Sequence, residues 1–127
     1  SHVDACVLRK YNPELKQLEL LSCFGVDAAW QGKANILFRG SLSEKAFKKG
    51  GPIKVIDLMR EPLYQSKAMA KRNNLASLLL IPLRFKGQVC GSLSLYTSAN
   101  KKLELLDNQF IREYAKVIEL GIGTLWD

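Results

Sequence analysis

Apolar and polar positions alternate along the first stretch of the chain, and the alternation breaks at turn residues. Ala5 to Tyr11 (Ala-Cys-Val-Leu-Arg-Lys-Tyr) predicts a strand. Asn12-Pro13-Glu14 is turn chemistry, because proline fixes φ and asparagine favours turn starts. Gln17 to Phe24 predicts a second strand, with Leu18, Leu20 and Ser22 on one face and Glu19, Leu21 and Cys23 on the other. The two form an antiparallel hairpin ended by Gly25, and the charges at Arg9, Lys10 and Glu19 predict partial exposure of the pair.

Further on the period lengthens. Gly32 to Phe38 fits neither template. Ser41 is placed to cap a helix: Glu44 stands three positions on, and Leu42, Ala46 and Phe47 follow at helical spacing. Gly50-Gly51-Pro52 must end it. Ile53 to Leu58 predicts a short strand, and Pro62 opens a second short helix running through Ala68 and Met69 to Asn73-Asn74.

Leu75 to Leu83 is almost continuously apolar, as a central strand covered on both faces would be. Phe85-Lys86-Gly87-Gln88 turns it into a return strand, Val89 to Thr97. There Leu93 and Leu95 alternate with Ser92 and Ser94, whose small side chains leave room for something packed close. The last predicted element is a helix from about Leu106 to Trp126. Ile111, Tyr114, Ile118, Ile122 and Leu125 recur on one stripe, and Arg112, Glu113, Lys116 and Glu119 spread over the rest. A stripe still apolar at Leu125-Trp126 predicts packing on a second chain, and so a homodimer through this helix.

Composition narrows the class. With 127 residues, 47% of them hydrophobic, the chain suits one domain and is not disordered. The longest apolar run, Leu78 to Leu83, has six residues, far short of the roughly 18–20 of a membrane-spanning helix. No basic start followed by an apolar stretch opens the chain, so a cytoplasmic setting is expected. Cys6, Cys23 and Cys90 are odd in number and far apart, which suits neither a disulfide framework nor a zinc site.

Charge adds a location. The net charge is +7, and Lys33 to Arg72 holds ten basic residues against three acidic ones, so the excess lies in that segment. Lys45, Lys48 and Lys49 share one helical face, and Lys67, Lys71 and Arg72 another; such charges suffice for phosphate-backbone contact. Without a recognition helix or an RNA-type aromatic motif, nucleic acid is not the expected partner.

Catalysis is not expected either. The single histidine is His2, which leaves no Ser-His-Asp or Cys-His arrangement within the body of the chain. Asp57 and Glu61 straddle a strand end, and Gly50-Gly51 is followed by Pro52 rather than by the Lys-Ser/Thr of a phosphate loop.

Three segments in this order carry a resemblance. They are Gly51-Pro52-Ile53-Lys54-Val55-Ile56-Asp57, Ala76-Ser77-Leu78-Leu79-Leu80-Ile81-Pro82-Leu83, and Gly87-Gln88-Val89-Cys90-Gly91-Ser92-Leu93-Ser94-Leu95-Tyr96 before an amphipathic helix. Over residues 5–126 the chain resembles a GAF domain, the small-molecule sensor module of signalling proteins. The resemblance implies an α+β, PAS-related fold. A central antiparallel sheet would carry terminal helices on one face and a helix-and-loop cover over a pocket on the other. It also implies one domain, residues 1–127, excised from a longer multidomain protein with an attached output domain and lacking the N-terminal helix usual in the family.

The function so implied is a regulatory sensor that binds a small molecule, an anionic one suiting the charge, or transmits state through terminal helices in a dimer. The alternatives are a ligand-free dimerisation module and a polyanion contact through residues 33–72. Expected pocket residues are Phe47, Ile56, Asp57, Tyr64, Met69 and Ser94, with Arg60 or Arg39 to meet an anion; Asp57 serves equally as a cap for the turn before Pro62. No cofactor is expected. Asp57 to Ser77 lacks the cysteine of bilin-binding members, and the histidine that ligates haem is missing. The Asn-Lys-Phe-Asp-Glu set of cyclic-nucleotide binders is not found either, and the cysteines stand in strands rather than in the covering loops used by the reductase branch.

Overall fold

The structure, a computed structural model, describes residues 3–98 and the helix 108–126, with side chains of that helix at 112–113 and 115–122. Six strands form one antiparallel sheet: β1 (Ala5–Asn12), β2 (Gln17–Phe24), β3 (Ile36–Leu37), β4 (Ile53–Val55), β5 (Ser77–Phe85) and β6 (Gln88–Thr97). Their spatial order is β3-β2-β1-β6-β5-β4. The return of β6 to pair with β1 joins the two hairpins into one surface. Helices α1 (Ala28–Gln31), α2 (Leu42–Lys49) and α3 (Lys67–Arg72) lie in the segment between β2 and β5, with a 3-10 turn at Leu58–Arg60, and α4 (Asn108–Trp126) follows the sheet.

Alternation sorts the side chains into two cores. On the front face Ala5, Val7, Leu78, Leu80 and Tyr96 pack beneath Trp30, Leu42, Ala46, Leu58 and Ala70 of the covering segment. On the rear face Leu79, Ile81, Leu83, Cys90 and Leu93 pack with Ala115 and Ile122, and Ile118 beside them. Burial of β5 is unbroken from Ser77 to Leu83, as its composition predicts. β4 pairs only with Leu78–Leu80, so Pro82 sits where β5 has a neighbour on one side alone and proline is tolerated.

Local chemistry sets the element ends. The Ser41 hydroxyl accepts the Glu44 N–H at 3.1 Å, and the Glu44 carboxylate accepts the Gly40 N–H at 3.1 Å, a reciprocal cap close to the one expected. Gly50, at φ 88°, closes α2 by donating to the Ala46 carbonyl. At the tip of the β5–β6 hairpin Lys86 and Gly87 both take positive φ (53° and 76°), the signature of a type I′ turn.

Several expectations need correction. Leu21 is an extra residue in β2, because Leu8 pairs with Ser22 while Arg9 pairs with Leu20. The bulge brings Cys23 onto the front core with Leu20, not onto the opposite face. The strand after Gly51-Pro52 ends at Val55, and α3 begins at Lys67 rather than at Pro62. α1 has no counterpart in the predicted elements; Asp27 caps it by accepting the Trp30 N–H at 2.9 Å. The stripe on α4 is also reassigned. Ile118 and Ile122 pack on the chain's own sheet, while Val117 and Leu120 are the exposed apolar residues there, at 66% and 62%. The side chains of Ile111, Tyr114 and Leu125 lie outside the described residues.

Candidate functional site

Between the front face and its cover lies a cavity of about 30 Å³. Its floor is Arg9 of β1, Leu78 and Leu80 of β5, and Ser94 and Tyr96 of β6. Ile36, Leu42 and Ser43 form one wall, and Leu63, Tyr64, Gln65 and Ser66, before α3, form the other. The strand period explains the floor: Arg9 is in phase with Ala5 and Val7, and Ser94 with Tyr96, so all five face the cover.

Arg9 dominates the electrostatics. It is 3% exposed, and its Nε donates to the Ala34 carbonyl at 2.7 Å. That bond uses one of the five N–H donors of a guanidinium. The ion pairs among the described residues are Lys48–Glu44, Arg60–Asp57 and Arg72–Asp27, so Arg9 has no carboxylate partner there. Burial pulls its pKa below the ordinary arginine value, while Tyr96, Tyr64 and Cys23 pull the other way. Opposite Arg9 in the ladder stands Ser92, fully buried, whose hydroxyl has no hydrogen-bond partner among the described residues.

Hydroxyl groups make up most of the other polar lining. Tyr64 and Tyr96 share a hydrogen bond between their hydroxyls at 2.9 Å, with ring centroids 6.4 Å apart. Ser66 bonds Tyr64 and Ser94 bonds Tyr96, which extends the chain of hydroxyls across the cavity. Burial raises the pKa of both phenols, so both stay protonated through the physiological range. Trp30 meets Tyr96 edge-on at 5.3 Å and backs it from the front core.

Of the residues expected at a pocket, the structure places Tyr64 and Ser94 in the lining. Phe47 packs against Phe38 at 6.4 Å and under the Arg84 guanidinium at 4.6 Å, away from the cavity. Ile56 is 80% exposed, and Met69 packs against the front core from α3. Asp57 caps the 3-10 turn through the Met59 N–H at 3.1 Å and pairs with Arg60 at 3.5 Å; the Arg60 side chain is 88% exposed, and Arg39 is exposed too. Lys45, Lys48, Lys49, Lys54, Lys71 and Arg72 also point outward, so the basic segment charges the outer surface of the cover. The cation at the cavity is instead Arg9, which charge alone had suggested was exposed. Its phase with Ala5 and Val7 was the signal that could have found it.

A second, open concavity of about 350 Å³ lies between Gly50–Pro52, β5 and α4, with Arg84, Arg112, Lys116 and Glu119 on its walls. Arg84 ties its sides together: the Arg84 backbone N–H donates to the Glu119 carboxylate, and Nη2 donates to the Phe47 carbonyl at 2.8 Å. The cysteines stand outside the lining of both cavities. Burial pushes Cys6 and Cys90 up to about 11, with smaller contributions from Cys23 and Glu119 respectively. Among the described residues no group of His, Cys, Asp and Glu could hold a metal ion, and no helix is long and apolar enough to cross a membrane.

No family model and no curated protein sequence matches the chain. Solved structures do. The GAF domain/HD domain protein from Geobacter sulfurreducens superposes with a TM-score of 0.79 at 13% identity, over 98% of this chain and 83% of that one. The GAF domain of a two-component sensor histidine kinase from Bacillus halodurans gives 0.75 at 19% identity, over 98% and 84%. The free methionine-R-sulfoxide reductase from Neisseria meningitidis, solved with its substrate, gives 0.74 at 19% identity, over 95% and 68%.

Proposed function

Since the chain has the fold of a GAF domain, we propose that it is the regulatory sensor domain of a signalling protein and takes a small anion into the cavity beneath α2 and residues 61–66. One observation carries this reading: a buried arginine lines the cavity and has no carboxylate partner among the described residues. Removing a cation from water costs several kcal/mol unless a counter-charge meets it. An anionic ligand supplies that charge where it is needed, and the Ser94 and Tyr96 hydroxyls of the cavity floor donate to the same group.

The state of the cavity reaches the rear of the domain through a single strand thickness. Leu78 and Leu80 face the cavity, and their neighbours Leu79 and Ile81 pack in the core that α4 covers. Val117 and Leu120, exposed on α4, are the residues we assign to a dimer contact. An attached output domain, of the kind borne by the sensor kinase above, would read the change. We take the chain as a binding domain rather than a catalytic one. Two of its three thiols are held protonated by burial, and none of the three lines the cavity.

Thermal unfolding with a panel of small anions and their neutral counterparts tests the proposal. A site filled at 100 times Kd adds about 2.7 kcal/mol, a rise of several degrees. No rise with any anion, or equal rises with the neutral counterparts, removes the reading. Sedimentation across a concentration series tests the dimer: Val117→Glu/Leu120→Glu should leave only monomer, and a monomer at every concentration of the unmodified chain ends that part of the proposal.

A further inference from the structure

We propose that the ligand is a short aliphatic monocarboxylate, gripped at its carboxylate by Arg9, and that its uptake moves Tyr64 off Tyr96. This rests on the sensor reading above and narrows it to one class of molecule.

Charge sets the first limit. Among the described residues Arg9 is the sole cation in the lining, and none of the acidic side chains lines the cavity. One negative charge therefore balances the site, whereas a dianion such as phosphate or a dicarboxylate brings a second charge that nothing there meets. An amino acid is disfavoured for the converse reason, since its ammonium group finds no carboxylate. The planar fork of a guanidinium matches a carboxylate in two parallel hydrogen bonds.

Shape sets the second limit. Beyond the hydroxyls and the exposed Gln65, the lining is aliphatic: Ile36, Leu42, Leu63, Leu78 and Leu80. These five suit a hydrocarbon tail. At about 30 Å³ the cavity has room for about one water molecule. A carboxylate with a tail of several carbons needs more, so one wall must yield.

The walls differ in how firmly they are held. The floor belongs to the β1–β6–β5 ladder, and α2 is capped at both ends. Residues 61–66 have weaker ties. Leu63 and Tyr64 donate their backbone N–H groups to Glu61, two and three residues back, at 3.0 and 3.2 Å. Across the cavity the Tyr64 hydroxyl bonds Tyr96 of the floor. The yielding wall is therefore the one that carries Tyr64, and the hydroxyl bond to Tyr96 is the one that must break.

Calorimetric titration of the chain with acetate, propionate, butyrate and valerate tests this, with butyramide, succinate and phosphate as comparators. Affinity should rise about fourfold per added CH₂. Butyramide, succinate and phosphate should each bind at least about tenfold more weakly than butyrate. Tyr64→Phe, which keeps the ring and no longer has the bond to break, should bind butyrate about fivefold more tightly. Succinate or phosphate binding as tightly as butyrate overturns the monocarboxylate assignment and leaves the sensor reading standing, while binding of no anion removes both. Unchanged butyrate affinity in Tyr64→Phe overturns the displacement of Tyr64. The amide comparison uses the unmodified chain, so it holds even if Arg9 variants fail to fold.

Discussion

A β-carbon placed on Gly91 would stand 2.1 Å from the carbonyl oxygen of Arg9, closer than any real side chain approaches a backbone. β6 and β1 touch here with no space between them, directly beside the cavity floor. Gly91→Ala is expected to push the strands apart and to cost about 1–3 kcal/mol or more. Urea unfolding measures it, and a midpoint equal to that of the unmodified chain would show that the strands are not so tightly opposed.

Asp27 links α1 to α3. Its carboxylate is held below the usual carboxylate range, first by the Trp30 N–H and then by Arg72, whose Nε lies 2.7 Å away. A depressed folded pKa stabilises the fold above the unfolded value of about 3.9. The contribution is lost as the pH falls from there through the lower folded value. Asp27→Asn should therefore be less stable than the unmodified chain at pH 6, with the gap closing below about pH 4. A gap independent of pH would mean that the charge on Asp27 is not what matters.

Lys86 is strained where it stands. Its φ of 53° is one that side-chain-bearing residues adopt at a cost and asparagine adopts readily. Lys86→Asn completes the Asn-Gly pair favoured in type I′ turns and is expected to gain about 0.5–1 kcal/mol. Loss of the Lys86 ammonium from above the Phe85 ring, 5.3 Å away, takes back part of that gain. A lower melting temperature in the variant would contradict the turn assignment.

Cys6 and Cys90 should be sluggish nucleophiles. With both pushed up to about 11, the thiolate fraction at pH 8 is about 100-fold below that of an ordinary thiol. Alkylation followed by mass spectrometry should label both far more slowly than a cysteine peptide. The same shift has a sign for stability. From pH about 8.5 upward the unfolded chain gives up these protons first, so stability falls towards pH 11. Peptide-like labelling rates at pH 8 would refute the burial of these thiols.

Much of the fold was legible because it is written locally. The alternation in β1 and β2, the apolar run of β5, the Lys86-Gly87 turn and the Ser41 and Gly50 caps of α2 each need only neighbouring residues. What escaped depends on distant ones. α1 is a single turn, too short to show a period, and is held by burial of Trp30. The bulge at Leu21 shifts the face of Cys23 without any mark in composition. Pro62 is good helix-start chemistry, yet residues 61–66 stay irregular and form a wall of the cavity. Arg9 was the costliest miss for the site. Its charge suggested water, whereas its Nε finds a carbonyl 25 residues away at Ala34. The stripe on α4 pointed to a partner surface, but two of its members, Ile118 and Ile122, pack on the rear of the sheet instead.

Arg84 has one further consequence. It belongs to β5, yet its backbone is held by α4 on the rear and its guanidinium by the last turn of α2 on the front. A tilt of α2 therefore pulls on the residue that anchors α4, without any side chain in the middle of the sheet having to repack. Along this edge the domain is a lever, and its fulcrum is the end of β5.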